Sequence, residues 1–315
     1  MSVWRRLQDL GICGVNRRSA EIIFPLNPRK FYPRVDDKRI TKEIALRFGV
    51  PVPELYGVIR YHHELKGLDE TLSPYERFVI KPAHGAQGKG ILLVSGREGG
   101  SYRRTDGRLM TGREVGYYVS GILSGLHSLG GQVDAALIEA MIEADPLLAG
   151  LGNGGVPDIR VIVYRGVPLM SMARLPTRLS HGKANLHQGA VGLGVSIATG
   201  VTTYAIQKNR FVERHPDTGR SLSGIQVPHW EQILVTAAQA FEMTGLGYVG
   251  VDLAIDKERG PLVLELNARP GLSVQIANRA GILPRTRAVD DSGAGADGMD
   301  PAERAAWARK ALAAL

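Results

Sequence analysis

Residues 248–272, YVGVDLAIDKERGPLVLELNARPGL, leave the backbone few choices. Apolar residues alternate with small or polar ones on both sides of Asp256-Lys257-Glu258-Arg259-Gly260, so the spacing predicts two β-strands joined by a polar turn. In the second strand Leu262, Leu264 and Leu266 point one way, and Val263, Glu265 and Asn267 the other. Asp252 in the first strand shares its face with Gly250 and Ala254, which leaves room around its carboxylate. Two carboxylates and an amide oxygen converging from paired strands make an all-oxygen donor set, which suits Mg²⁺ rather than Zn²⁺. Acids on a strand also mark an ordinary solvent face, and the rest of the chain is what favours the metal.

A chain of 315 residues with 44% hydrophobic content can bury a substantial core, in one large lobe or two to three small ones. No apolar run approaches the length of a membrane span, and residues 1–15 are too polar and arginine-rich for a signal peptide. Cys13 is the only cysteine, which excludes a disulfide framework and a cysteine-based metal site. These absences predict a cytoplasmic protein. The net charge of +8 is compatible with nucleic acid, an acidic membrane surface or an anionic small substrate. Its distribution says more. Residues 159–212 contain no Asp or Glu but hold Arg160, Arg165, Arg174, Arg178, Lys183, Lys208 and Arg210, which predicts an anion-binding surface beside the metal strands. Aromatic residues are 6% and scattered, so the interleaving of a nucleic-acid stacking platform is missing and no nucleic acid is expected as partner.

Along the chain, residues 1–31 read as basic and irregular. The spacing of Ile40, Ile44 and Phe48 predicts a helix over 36–48, ended by Gly49, Pro51 and Pro53, with Lys38 and Lys42 on its other face. Residues 77–81 and 91–94 read as strands flanking the glycine-rich loop KPAHGAQGKG. Backbone N–H groups of such a loop can close over phosphates, although it is neither a Walker loop nor a dinucleotide-binding turn. A helix is expected over 111–129 with Thr111 and Glu114 as a capping box and Val115, Tyr118, Ile122 and Leu126 as its apolar stripe. Strands follow over 132–143, 158–164 and 167–174, with a glycine-rich crossover over 145–157, a basic loop over 176–186 and a second glycine-rich stretch over 189–200. Residues 228–244 read as the clearest helix and 273–282 as a short one. Residues 285–299 are Gly/Asp/Arg-rich and read as flexible, and Asp300-Pro301-Ala302-Glu303 caps a final helix to Leu315.

Together these features resemble the ATP-grasp carboxylate–amine ligases, over roughly residues 36–277, with five elements in the family's order. The similarity is greatest to the α-L-glutamate ligase-like and sugar-transfer-associated branches. Asp37-Lys38 and the following Gly49-Val50-Pro51-Val52-Pro53 resemble the first nucleotide-binding lysine and the entry to the lid. Val79-Ile80-Lys81-Pro82 with Gly85, Gln87, Gly88 and Gly90 resembles the second lysine and its phosphate-covering loop. Leu137-Ile138-Glu139-Ala140-Met141 resembles the hinge whose backbone reads adenine, Asp158-Ile159-Arg160-Val161 the segment whose acid holds the ribose, and Asp252 with Glu265-Leu266-Asn267 the Mg²⁺ triad. Asn185-Leu186-His187-Gln188-Gly189 resembles a segment near the transferred phosphate. Two departures stand out. The α/β domain that usually opens the family is cut to the short basic residues 1–35, and Arg269 stands where glutamate-adding relatives carry a small residue.

The resemblance implies an α/β (α+β) chain with the ATP-grasp fold, in which two lobes grip ATP. Its expected organisation is a basic segment at 1–35, an ATP-grasp region at 36–284 (lid about 50–140, C-terminal lobe about 141–284), and a linker with a helix at 285–315. The implied cofactors are ATP and Mg²⁺, or Mn²⁺ in its place. The implied reaction is attack of a carboxylate on the γ-phosphate, then displacement of phosphate from the acyl phosphate by an amine. Lys38 and Lys81 would neutralise phosphates, with Lys42 the rival for Lys38. Glu139 and Met141 would meet adenine and Asp158 the ribose, while Arg160, Arg174, Arg269, Lys183 and Asn185 would serve the transferring phosphoryl group and the substrate carboxylate. The expected substrate is a small anion or acidic peptide, glutamate-like, with an amine acceptor. A kinase on the same nucleotide site and a basic nucleic-acid binder are the alternatives. A homo-oligomer is compatible with all of this.

Overall fold

The computed structural model describes residues 3–85, 88–128, 131–295 and 298–315. The chain divides into two compact units: Met1–Asp36, Ile40–Val52 and Glu143–Leu315 form the first, and Asp37–Arg39 and Pro53–Ile142 the second.

The second unit is built on a six-stranded antiparallel sheet of β1 (Leu55–Ile59), β2 (Phe78–Pro82), β3 (Leu92–Glu98), β4 (Ser101–Arg104), β5 (Leu109–Met110) and β6 (Ala136–Ala140), in the order β1-β6-β2-β3-β4-β5. The helix Gly112–Leu123 buries Val115, Val119, Ile122 and Leu123 among its core side chains. The expected capping box is present. Glu114 N–H donates to Thr111 Oγ1 at 3.2 Å, and Thr111 N–H donates to the Glu114 carboxylate at 2.8 Å. The helix ends at Leu123, short of the expected span, and Leu126 is exposed because it lies past the last turn.

The first unit carries a seven-stranded antiparallel sheet. Its strands are β7 (Asp158–Tyr164), β8 (Val167–Leu175), β9 (Val191–Val195), β10 (Thr202–Gln207), β11 (Arg210–Val212), β12 (Tyr248–Asp256) and β13 (Gly260–Asn267), ordered β11-β10-β9-β8-β7-β12-β13. β9 falls inside the 189–200 stretch, which reads in sequence only as glycine-rich. A Cβ on Gly194 would lie 2.4 Å from the carbonyl oxygen of Ala277, so the strand is glycine-rich because the helix Ser273–Asn278 crosses close over it.

Other boundaries differ for similarly physical reasons. The expected helix at 228–244 is two helices, Trp230–Ala238 and Ala240–Thr244. Residues 146–151 form a helix whose N-terminus is capped by Asp145, with Pro146 at its first position. The segment expected to be flexible, 285–299, is overlapped by the helix Leu283–Ser292, which buries Leu283, Arg285, Thr286 and Val289. Its polar composition conceals a core-facing side, and burial rather than composition orders it. The first residues are likewise partly ordered, since Ile22 and Ile23 join the core of this unit.

Candidate active site

Four neighbouring strands of the first unit deliver six polar side chains to one face of the sheet. Strand pairing sets Arg174 opposite Asp158, Arg160 opposite Asp252, Asp252 opposite Glu265 and Gly250 opposite Asn267. Side chains alternate along a strand, so all six share a face. A bulge between Asp252 and Leu253 inserts one residue on β13 without disturbing that parity. Gly250 is bare because a Cβ there would sit 2.7 Å from the Pro270 side chain, which folds back over the strand.

The acids and arginines of this face pair with one another. Arg160 grips Asp252 bidentately, Nε to Oδ1 at 2.7 Å and Nη2 to Oδ2 at 2.5 Å. Arg174 holds Asp158 in the same way at 2.5 Å for both bonds, and its Nη2 also reaches Asp252 Oδ2 at 2.8 Å. This corrects the expectation that the cations of residues 159–212 lack acids. Arg160 and Arg174 are each paired, because a sheet supplies partners from adjacent strands that a linear stretch cannot reveal.

Burial alone would push the Asp252 carboxyl up, but the guanidiniums of Arg160 and Arg174 outweigh it and hold it well below the usual carboxylate range. Asp158 has only a share of Arg174. Burial pushes it up to about 6, with Arg174 working against the rise and the Asp252 charge adding to it. Burial works against the charge of Arg174, yet Asp158 and Asp252 overcome it and raise its pKa further.

The donor set of Asp252, Glu265 and Asn267 has the oxygen chemistry that Mg²⁺ takes. The Glu265 carboxylate makes no hydrogen bond among the described residues, and the Asn267 side-chain oxygen accepts only the Arg269 N–H at 2.8 Å, leaving a second lone pair. Asp252 is different. It is 1% exposed and already accepts three N–H groups, so a cation reaches it only if a guanidinium turns away. Among the described residues no group of three or more His, Cys, Asp or Glu is set to hold a metal ion in this arrangement.

The other expected residues of this unit are dispersed. Lys183 makes no ion pair among the described residues. Asn185 accepts the His187 N–H at 2.9 Å and so shapes the turn at Leu186–Gln188. Arg269 is exposed and lies over the Tyr32 ring at 5.0 Å.

In the second unit Lys81 and Glu139 form a buried ion pair at 2.8 Å. Lys38 Nζ donates to the Gly85 carbonyl at 2.6 Å. Lys42 belongs to the first unit, where it is buried. Met141 follows β6, part-buried. Gly88 and Gly90 both have positive φ, and a Cβ on Gly90 would meet the His127 ring at 2.5 Å, so glycine is required there on two counts. Gln87 lies outside the described residues. Sequence reasoning passed over His84, whose ring nitrogen Nδ1 lies 2.7 Å from the buried Asp134 carboxylate. Nothing local marks it, since its partner stands 50 residues along the chain.

Residues 17–291 match the model of the family described as sugar-transfer associated ATP-grasp. The chain belongs to this family. Among curated proteins, this ATP-grasp chain is 22% identical over 254 residues to a probable alpha-L-glutamate ligase of Thioalkalivibrio sulfidiphilus (strain HL-EbGR7), covering 79% of this chain and 61% of that protein. It is 23% identical over 261 residues to one of Parasynechococcus marenigrum (strain WH8102), covering 82% and 42%. The chain thus spans less than two thirds of the length of these relatives. Among solved structures it is similar to the ATP-grasp ligase PsnB complexed with minimal precursor, at TM-score 0.47 and 12% identity over 84% of this chain and 63% of that one. It is also similar to D-alanine–D-alanine ligase from Bacillus anthracis complexed with ATP, at TM-score 0.42 and 17% identity over 99% and 74%.

Proposed function

We propose that this ATP-grasp protein is an ATP- and Mg²⁺-dependent ligase that joins a carboxylate to an amine through an acyl phosphate. The observation that carries the reading is the single sheet face bearing Asp158, Arg160, Arg174, Asp252, Glu265 and Asn267, in a chain whose family membership spans most of its length. Lys38 and Lys81 neutralise nucleotide phosphates, while Glu139 and Met141 mark the segment for adenine and Asp158 serves the ribose. Asp252, Glu265 and Asn267 are the residues that would hold Mg²⁺, which when bound supplies charge neutralisation for the phosphates. Arg160 and Arg174 have bidentate forks that fit a phosphoryl group as well as they fit the carboxylates they now hold. The protein's part is positioning and electrostatics, not covalent catalysis.

The proposed carboxylate donor is acidic, a glutamate or a glutamate-containing peptide. With Arg160 and Arg174 paired internally, the support for this comes from Lys183 and the Arg178 and Arg269 side chains, which have no acid partner among the described residues. The test is phosphate release from Mg-ATP, screened against amino acids and short peptides singly and in pairs. Release that needs both an acid and an amine is expected. Release with a hydroxyl acceptor and no amine would move the assignment to a kinase.

A further inference from the structure

His84 has no place in the chemistry just described, yet it joins three separate segments of the second unit. Its backbone N–H reaches both carboxylate oxygens of Asp134, at 3.2 and 3.1 Å, and its Nδ1 lies 2.7 Å from Oδ1. The Asp134 side chain is fully buried and also accepts from Ser128 Oγ at 2.7 Å and from the Ala135 N–H at 2.8 Å. Burial would push its carboxyl up, but these donors prevail and hold it below its ordinary value. A carboxylate only accepts, so the network assigns the Nδ1 proton to the ring and fixes its orientation. On the far side of the ring, Nε2 stands 3.7 Å from Asp37, which Arg39 grips through both oxygens.

The consequence falls on Lys38. Its backbone N–H donates to Ala83 O at 3.2 Å, and its Nζ donates to Gly85 O at 2.6 Å and Ala83 O at 3.5 Å. The ammonium therefore rests on the two carbonyls that flank His84. We infer that His84 is a positioning residue for Lys38: tied to Asp134, it sets the Ala83 and Gly85 carbonyls and so decides where the lysine charge is offered to a nucleotide. This rests on the reading of Lys38 as a phosphate-binding residue.

The experiment is calorimetric binding of a non-hydrolysable ATP analogue with Mg²⁺ to the full chain, across a cycle of Lys38→Ala, His84→Ala and the double variant. His84→Ala should weaken binding about fivefold or more, and should add less than about twofold once Lys38 is gone, because a residue acting through Lys38 has nothing left to position. His84→Asn, whose amide nitrogen takes the place of Nδ1 and still donates to Asp134, should keep affinity within about threefold of wild type. Wild-type affinity in His84→Ala overturns the inference, and so does an equal loss in both backgrounds, the mark of a merely structural residue. If His84→Ala does not fold, the same cycle is run with Asp134→Asn and read in the same way. Failure of the wild-type chain to bind the analogue, or of Lys38→Ala to weaken it, removes the nucleotide reading itself and this inference with it.

Discussion

At the scale of single residues, the network around Asp252 combines two demands that pull apart. Arg160 and Arg174 stabilise buried acids that would otherwise be costly, and the same bonds close Asp252 to a cation. Arg160→Ala should destabilise the fold by about 3 kcal/mol, toward the low end for a broken buried pair because Arg174 still reaches Asp252. Denaturant unfolding measures this, and a loss below about 1 kcal/mol, the scale of a surface pair, would refute the network's importance. Glu265→Gln behaves differently. The Glu265 carboxylate has no hydrogen bond to lose, so its replacement should leave the unfolding midpoint near wild type while abolishing Mg-ATP turnover. Turnover at the wild-type rate would remove Glu265 from the metal set. The face that Asp252, Glu265 and Asn267 share was legible from alternation alone. Their pairing was not, because Arg174 finds Asp158 at a separation of 16 residues and Asp252 at 78, distances set by strand order.

At the scale of elements, sequence served best where local chemistry decides. The Thr111–Glu114 and Asp300–Glu303 capping boxes lie where their spacing puts them, and β7 has the boundaries its alternation predicts. It failed where tertiary contact overrides composition, as in the glycine-rich β9 and the polar helix Leu283–Ser292. The basic loop after β8 was legible only as charge, and what fixes its start is His215. This buried ring donates from Nε2 to Pro176 O at 3.1 Å and accepts the Asp217 and Thr218 N–H groups at Nδ1, which requires the neutral imidazole. Burial depresses its pKa, with the Pro176 bond and the Asp217 charge opposing. The neutral form is favoured by folding, so this stability is complete above about pH 6.5 and is lost as pH falls through the depressed folded value. Amide protection at Asp217 and Thr218, taken relative to the intrinsic exchange rate at each pH, should fall over that window, and flat protection from pH 7 to pH 5 would sink the assignment.

At the scale of the whole molecule, the surplus of +8 acts in two places that salt distinguishes. The Arg160–Asp252 and Arg174–Asp158 pairs are buried, and mobile ions screen them little. Arg178 and Arg269 are exposed, Lys183 is half-buried, and all three are open to screening. If those outer cations recruit an acidic substrate, raising ionic strength from about 0.05 M to about 0.5 M shortens the Debye length from roughly 14 to roughly 4 Å and should raise KM for the acid several-fold. The thermal midpoint should hold or rise over the same range, since the buried pairs persist and net self-repulsion is relieved. Lys183→Ala should reproduce the KM effect at low salt and remove most of its salt dependence, with little change in KM for ATP. Steady-state kinetics with each substrate varied in turn measures all three. A KM for the acid that ignores salt, or a best substrate that is neutral, would detach these cations from substrate binding and leave them as ordinary surface charge.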